Sequence, residues 1–147
     1  MASGKMIKVA LNALDRMSHM FGRKPKEAGH ISTGKRGEEL AYFHLRKMGY
    51  TVVARNYRTA RHRGEIDLIG WDGDSLCVIE VKTRSTRAVK AAEVAVDRKK
   101  QDELRTVAHE YLRNIHAGTA VRGDVVSVYT DIEPPEINIF KNAFRVR

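Results

Sequence analysis

Asp67, Glu80 and Lys82 have the residue types and the spacing that metal-assisted phosphate chemistry uses. Carboxylates are hard oxygen donors, and Mg²⁺ accepts one or two of them with waters completing its shell. In Val78-Ile79-Glu80-Val81-Lys82, strand alternation turns Val78, Glu80 and Lys82 to one face and Ile79 and Val81 to the other. Asp67 interrupts Ile66, Leu68 and Ile69 in the same way. A charge on an otherwise apolar strand is costly unless that face opens to solvent or a ligand. Cross-strand neighbours come within about 5 Å, so Asp67 and Glu80 can converge on one cation with Lys82 in reach of a bound phosphate. Taken alone, Glu80 and Lys82 are explained better by an ion pair on a half-exposed strand.

Two features outside this hairpin shift the balance. Glu38 precedes Ala41, Leu45 and Met48 by three, seven and ten residues, which puts it on the apolar face of its helix. Its neighbour Glu39 points about 100° away, into solvent. Lys100 and Gln101 prolong the apolar stripe of a later helix, four and three residues before Leu104. Two helices therefore turn polar residues toward a sheet that carries inward polar residues of its own.

The elements that must position these residues follow from periodicity and punctuation. A helix is predicted over 36–48, with Gly49 as its C-cap glycine. A strand follows over 50–57, then a hairpin with strands over 66–71 and 76–83 about an Asp72-Gly73-Asp74 turn. A second helix spans 97–115, capped by Asp97, with Leu104, Val107, Ala108, Tyr111, Leu112 and Ile115 as its stripe. A strand over 124–129 and an edge strand over 137–140 complete the order. The fold class is α/β, in the order α-β-β-β-α-β.

The chain has 147 residues and reads as one compact domain over 34–147 preceded by an extension over 1–33. In that extension Ile7, Leu11, Leu14, Met17 and Phe21 recur at helical spacing among Lys5, Lys8, Arg16 and Arg23, and a linker runs over 22–33. A short helix or a tail accounts for it better than contact with a membrane surface, an import receptor or nucleic acid. No apolar run approaches the length of a transmembrane helix, and no secretory signal is recognisable, so no membrane partner is expected. The lone Cys77 makes no internal disulfide and fits a reducing, cytoplasmic compartment. The histidines fall in no spaced metal motif, which leaves zinc without a ligand set.

Twenty-seven Lys and Arg against eighteen Asp and Glu give a net charge of +9, an excess that favours a polyanionic partner. Arg55, Arg58, Arg61 and Arg63 cluster within nine positions without an acid among them, immediately before Asp67. With Arg84, Arg87 and Lys100 they are the candidates for gripping phosphates. One Trp and five Tyr do not make a base-stacking ladder.

Together these residues carry a resemblance. The ordered set Asp67, Glu80-Val81-Lys82 resembles the PD-(D/E)xK nuclease superfamily, whose fold is restriction-endonuclease-like. More closely, the chain is similar to the YraN-like family of small bacterial proteins. The matching segments are Gly34-x-x-Gly37-Glu38-x-x-Ala41, Arg55-Asn56-Tyr57, Gly64-Glu65-Ile66-Asp67-Leu68-Ile69 and Glu80-Val81-Lys82-Thr83-Arg84. Weaker matches are Lys100-Gln101, Ala108 with Tyr111-Leu112, and Asp124-Val125-Val126. The resemblance covers residues 34–147. It implies a mixed sheet of four to five strands flanked by helices.

It also implies divalent-metal-dependent hydrolysis of phosphodiester bonds in nucleic acid, chiefly DNA, including branched or repair intermediates. Asp67 and Glu80 would hold Mg²⁺ or Mn²⁺ with the Val81 carbonyl, and Glu38 would act through water or a second ion. Lys82 would stabilise developing charge, and Gln101 would orient the substrate or Lys82. Since cutting both strands often uses two copies, a homodimer is one arrangement to expect. The alternatives are a nucleic-acid-binding protein of the same fold without catalysis, and a partner-binding domain whose acidic cluster is filled by Lys82. Two positions depart from the pattern: Ile66 stands where the superfamily has proline, and Gly123 where the family tends to carry an aromatic.

Overall fold

Local sequence accounts for the ends of the first helix, α1 (Thr33–Lys47), in the computed structural model, which describes residues 33–84 and 96–147. Gly49 takes φ +95°, and its N–H donates to the Arg46 carbonyl while the Tyr50 N–H donates to that of Leu45. This is the Schellman arrangement, in which a left-handed residue satisfies the last carbonyls of the helix. Met48 lies past the last turn and is 61 % exposed, a correction to its expected place on the apolar face. The extension expected over 1–33, apart from Thr33, lies outside the described residues, and so does Arg87.

After α1 come β1 (Thr51–Tyr57), β2 (Ile66–Asp72) and β3 (Ser75–Arg84). The helix α2 (Arg98–Leu112) follows, then β4 (Ala120–Tyr129) and β5 (Glu136–Phe144). Asp97 caps α2 as expected, accepting from the Lys100 N–H at 2.9 Å. The five strands form one mixed sheet in the order β1-β2-β3-β4-β5. Only the β3–β4 pair is parallel, and α2 is the crossover it requires. The protein thus has the expected α/β, restriction-endonuclease-like class, with the edge strand running four residues longer than its apolar stretch. Among the described residues no helix is long and apolar enough to cross a membrane.

The helices cover opposite faces. Ala41, Tyr42 and Leu45 of α1 pack with Leu68, Ile79 and Val126, whereas Leu104, Val107 and Ala108 of α2 pack with Ile69, Val78 and Val125. Each such side chain contributes about 1.5–3 kcal/mol on burial. Gly123 is explained by its neighbour across the β4–β5 pair. A Cβ there would stand 2.5 Å from the Phe144 ring, so the aromatic that the family tends to carry at this position has its space taken by Phe144.

Candidate active site

The β2–β3 ladder stops at Leu68↔Ile79, although β3 continues beside β4 as far as Arg84↔Tyr129. Beyond Ile79, then, β3 has a strand partner on one side only among the described residues. On the other side the Asp67 carboxylate substitutes for a strand: its Oδ2 accepts the Val81 N–H at 2.7 Å. Glu80 and Lys82 lie on this opened stretch, on the α2 face with Val78.

From the same face α2 delivers Lys100, whose Nζ is 3.4 Å from Glu80 Oε2. Gln101, one residue on, donates from Nε2 to the Val96 carbonyl at 2.7 Å and so ties the entry of α2 to its first turn. From the opposite face α1 comes close through Gly37, where a Cβ would lie 1.7 Å from Thr83 Oγ1. Any larger residue at this point would push the helix away from β3, and Glu38 with it.

Burial dominates the electrostatics. It pushes the Asp67 carboxyl up to about 7, assisted by the charges of Glu80 and Glu38 and opposed by the Val81 N–H. Burial likewise raises Glu80, whose side chain is 13 % exposed, while the ammoniums of Lys100 and Lys82 pull it back. It lowers Lys82, as does the adjacent Arg84. Glu80 Oε2 is buried, with the Lys100 ammonium at 3.4 Å as its neighbouring cation. Two adjoining carboxylates beside an opened strand edge make a donor set that could hold a hard divalent cation. Among the described residues no three carboxylate, imidazole or thiol groups come together as a metal cluster, so Glu38 does not join Asp67 and Glu80 as a direct third ligand.

Glu38 is instead held by Asn56. The Asn56 amide donates to Glu38 Oε2 at 2.9 Å and to Glu65 Oε1 at 2.8 Å, from a backbone at φ +48° that asparagine tolerates better than most residues. Glu65 in turn pairs with Arg58. Neither Asn56 nor Glu65 was singled out from the sequence, although both lie in the segments that carry the family resemblance. An asparagine ending a strand was the available signal.

The expected phosphate-binding residues separate into groups. Arg61 and Arg63 are exposed on the loop between β1 and β2, and Arg55 lies over the Tyr42 ring with its guanidinium 4.4 Å from the centroid. Arg58 is drawn to Glu65 and Lys100 to Glu80, so both are committed within the protein. Arg84 sits at the end of β3, where its carbonyl accepts the Thr130 N–H at 2.9 Å.

A second polar cluster went unnoticed in the sequence. At the other end of β3, Arg122 donates from Nε to Asp124 Oδ1 at 2.9 Å and from Nη2 to Asp72 Oδ2 at 2.6 Å and the Tyr50 hydroxyl at 3.1 Å. Asp124 is fully buried and also accepts the Asn142 N–H at 2.9 Å. The Arg122 and Lys141 cations hold Asp72 down to about 2.

The raised Asp67 carboxyl sets a pH dependence. Its proton stays on in the folded protein up to about 7 but leaves an unfolded carboxyl near 3.9. Between those values the folded state binds more protons, so the stability contribution is full below about 4 and is lost as pH rises through about 7. In chelator, Asp67→Asn should therefore melt like the parent near pH 4 and several degrees above it at pH 8. A melting difference that stays constant across that range would contradict the placement of Asp67 in a desolvated acidic pair.

Comparison with known proteins places this arrangement. The sequence model of the uncharacterised protein family UPF0102 matches residues 37–128, from the glycine under α1 through the parallel strand β4. The chain belongs to this family. A UPF0102 protein of Koribacter versatilis is 57 % identical over 82 % of this chain and 85 % of its own length. One from Solibacter usitatus is 45 % identical over 95 % of this chain and 100 % of its own, and one from Chlorobaculum tepidum is 41 % identical over 77 % and 92 %. UPF0102 is the YraN-like group that the motifs resembled. All of α1 from Gly37, the hairpin, α2 and β4 as far as Val128 fall within the UPF0102 match, and with them Glu38, Asp67, Glu80, Lys82 and Gln101.

Proposed function

We propose that this protein hydrolyses phosphodiester bonds in nucleic acid, with DNA as substrate and Mg²⁺ or Mn²⁺ as its ion. The observation that carries the reading is the opened end of β3, where Asp67, Glu80 and Lys82 share one face and burial together with the neighbouring Glu80 charge raises the Asp67 carboxyl. Asp67 and Glu80 would hold the ion, with the Val81 carbonyl as a further donor. When bound, the ion supplies Lewis acidity toward a phosphoryl oxygen and makes water a competent nucleophile near neutral pH.

The chain's own residues do the rest. Lys82 offers an ammonium to charge developing on the phosphate. The Val81 N–H holds the Asp67 carboxylate in one orientation, and Asn56 does the same for Glu38. Gln101 fixes the entry of α2 and with it the level at which Lys100 meets Glu80. Arg55, Arg61 and Arg63 would hold phosphates away from the scissile bond.

One observation favours a second reading, a nucleic-acid-binding protein of this fold without catalysis. The Lys100 ammonium already neutralises Glu80. Cleavage assays with Mn²⁺ and Mg²⁺ on branched, duplex and single-stranded DNA, alongside Glu80→Ala, separate the two. The parent should cut at least one substrate and Glu80→Ala none. Thermal melts give an independent measure. At about ten times its dissociation constant the ion should add roughly 1.4 kcal/mol, a shift of roughly 3–6 °C that Asp67→Ala and Glu80→Ala lose. No cleavage and equal melts with and without ion would decide for the second reading.

A further inference from the structure

The loop between β1 and β2 is not a free cationic tether; it lies along α2. Gly64 packs against Glu103 and Val107, and on either side of that contact two grooves of about 520 and 650 Å³ share His62 and Thr106 as lining residues. On the helix side, Lys99, Asp102, Thr106, His109 and Arg113 succeed one another by three, four, three and four residues, so they form one straight stripe. The loop side supplies Arg61 and Arg63, and the C-terminal Arg147 closes the far end. Arg147 is anchored there, donating to the Ala117 and Thr119 carbonyls at 3.2 and 3.1 Å.

The two grooves, meeting at His62 and Thr106, together flank α2 from Arg98 to Leu112. Fifteen residues of helix span about 22 Å, the rise of about six nucleotides of one strand. Its near end is one residue from Lys100, which touches Glu80. Six cationic residues line it, Arg98 completing the set, against three acids. Two of those acids already face cationic or ionisable partners: Asp102 pairs with Arg105 at 3.2 Å, and Glu110 faces His62 at 3.9 Å. Among the described residues the lining holds no Phe, Tyr or Trp, so its ligand is held chiefly through charge, with His62 and His109 as the aromatic rings within reach.

We propose that a single nucleic-acid strand lies in this groove, its backbone gripped from the loop by Arg61 and Arg63 and from the helix side by Lys99, Arg113 and Arg147. The inference rests on the nucleic-acid reading of the Asp67–Glu80 site and extends it by naming the path of the strand that leads to it. It assigns Arg98, Lys99, Arg113 and Arg147 to substrate binding. Grooves of this volume are the size of small-molecule clefts and suit one strand better than a duplex.

The test is equilibrium binding of fluorescent twelve-nucleotide oligothymidine in chelator, over a range of salt. Each neutralised phosphate contact should lower the slope of log affinity against log salt by about 0.7 for a single strand. Arg98→Gln/Lys99→Gln and Arg113→Gln/Arg147→Gln should each flatten it by about 1.4. Lys47→Gln/Arg145→Gln, at exposed positions outside the groove, should leave it unchanged. Where Arg147→Gln loosens the C-terminal strand, Arg113→Gln alone should still flatten the slope by about 0.7. Equal flattening by groove and control pairs, or an effect seen only with a twelve-base-pair duplex, overturns the proposal. A parent that binds no DNA overturns it together with the nucleic-acid reading. A parent that binds through these residues yet never cleaves upholds the groove and removes only the hydrolase.

Discussion

Replacing Lys82 by alanine should slow DNA cleavage by about 10²–10³-fold while leaving DNA affinity almost unchanged, the largest catalytic effect expected of a residue that would not hold the ion. The reason lies in its position. Lys82 shares a strand face with Glu80, is half-buried and is lowered by that burial and by Arg84, so its ammonium sits in a medium where a donor to phosphate counts for more than in water. On the proposed reading, affinity would be carried elsewhere, by cations along the loop and α2. Lys82→Arg should not restore the rate, because a planar guanidinium cannot take the position of a compact ammonium. Replacing Arg61 and Arg63 should produce the converse, weaker binding with a flatter salt dependence. Adding Arg58 to that pair should cost little more, since it is already paired with Glu65. Single-turnover rates and binding isotherms on the same variants decide the matter, and a Lys82→Ala protein that cuts at the parent rate would show the reacting phosphate to be elsewhere.

The largest stability effect should come from the other end of β3. Asp124→Ala should destabilise the fold by about 1–3 kcal/mol, because the Asn142 N–H and the Arg122 Nε lose their acceptor while Arg122 keeps Asp72 and the Tyr50 hydroxyl. Removing both partners is a different matter. Arg122→Met/Asp124→Leu should recover part of that loss, since the Arg122 Nε then no longer lacks an acceptor. Urea unfolding should show the midpoint falling for the single variant with an unchanged slope. A loss under about 1 kcal/mol would mean that water already solvates this cluster, in conflict with a fully buried Asp124.

These two sites differ in how far they can be read from the chain. Asp67, Glu80 and Lys82 stand out because strand alternation is a local property: a charge in an apolar run is visible at its own position. The helix ends are local too. Gly49 and Tyr50 close α1 through bonds to Arg46 and Leu45, and Asp97 opens α2 through a bond from Lys100, each within five residues. Binary pattern, caps and turns therefore determined the elements and most of their order, and the motif spacing determined the family.

Tertiary structure decided what depends on distant partners. Arg122 and Asp124 look like surface charges on a strand until the Tyr50 hydroxyl arrives from 72 positions away and Asp72 from 50. Glu38 and Asn56 meet across 18 positions, a partnership that no local pattern announces. Arg58 and Lys100 were grouped with phosphate-binding cations by charge alone, and the fold pairs each with an acid. Periodicity places α1 and α2 against the sheet but carries no information on which face each covers, because hydrophobic burial is non-directional and chain connectivity makes the choice. The C-terminal half of β5 shows the same limit. Lys141, Asn142 and Ala143 have no apolar alternation and lie in the irregular stretch between Val125↔Phe140 and Gly123↔Phe144, where the Asn142 N–H donates to the Asp124 carboxylate.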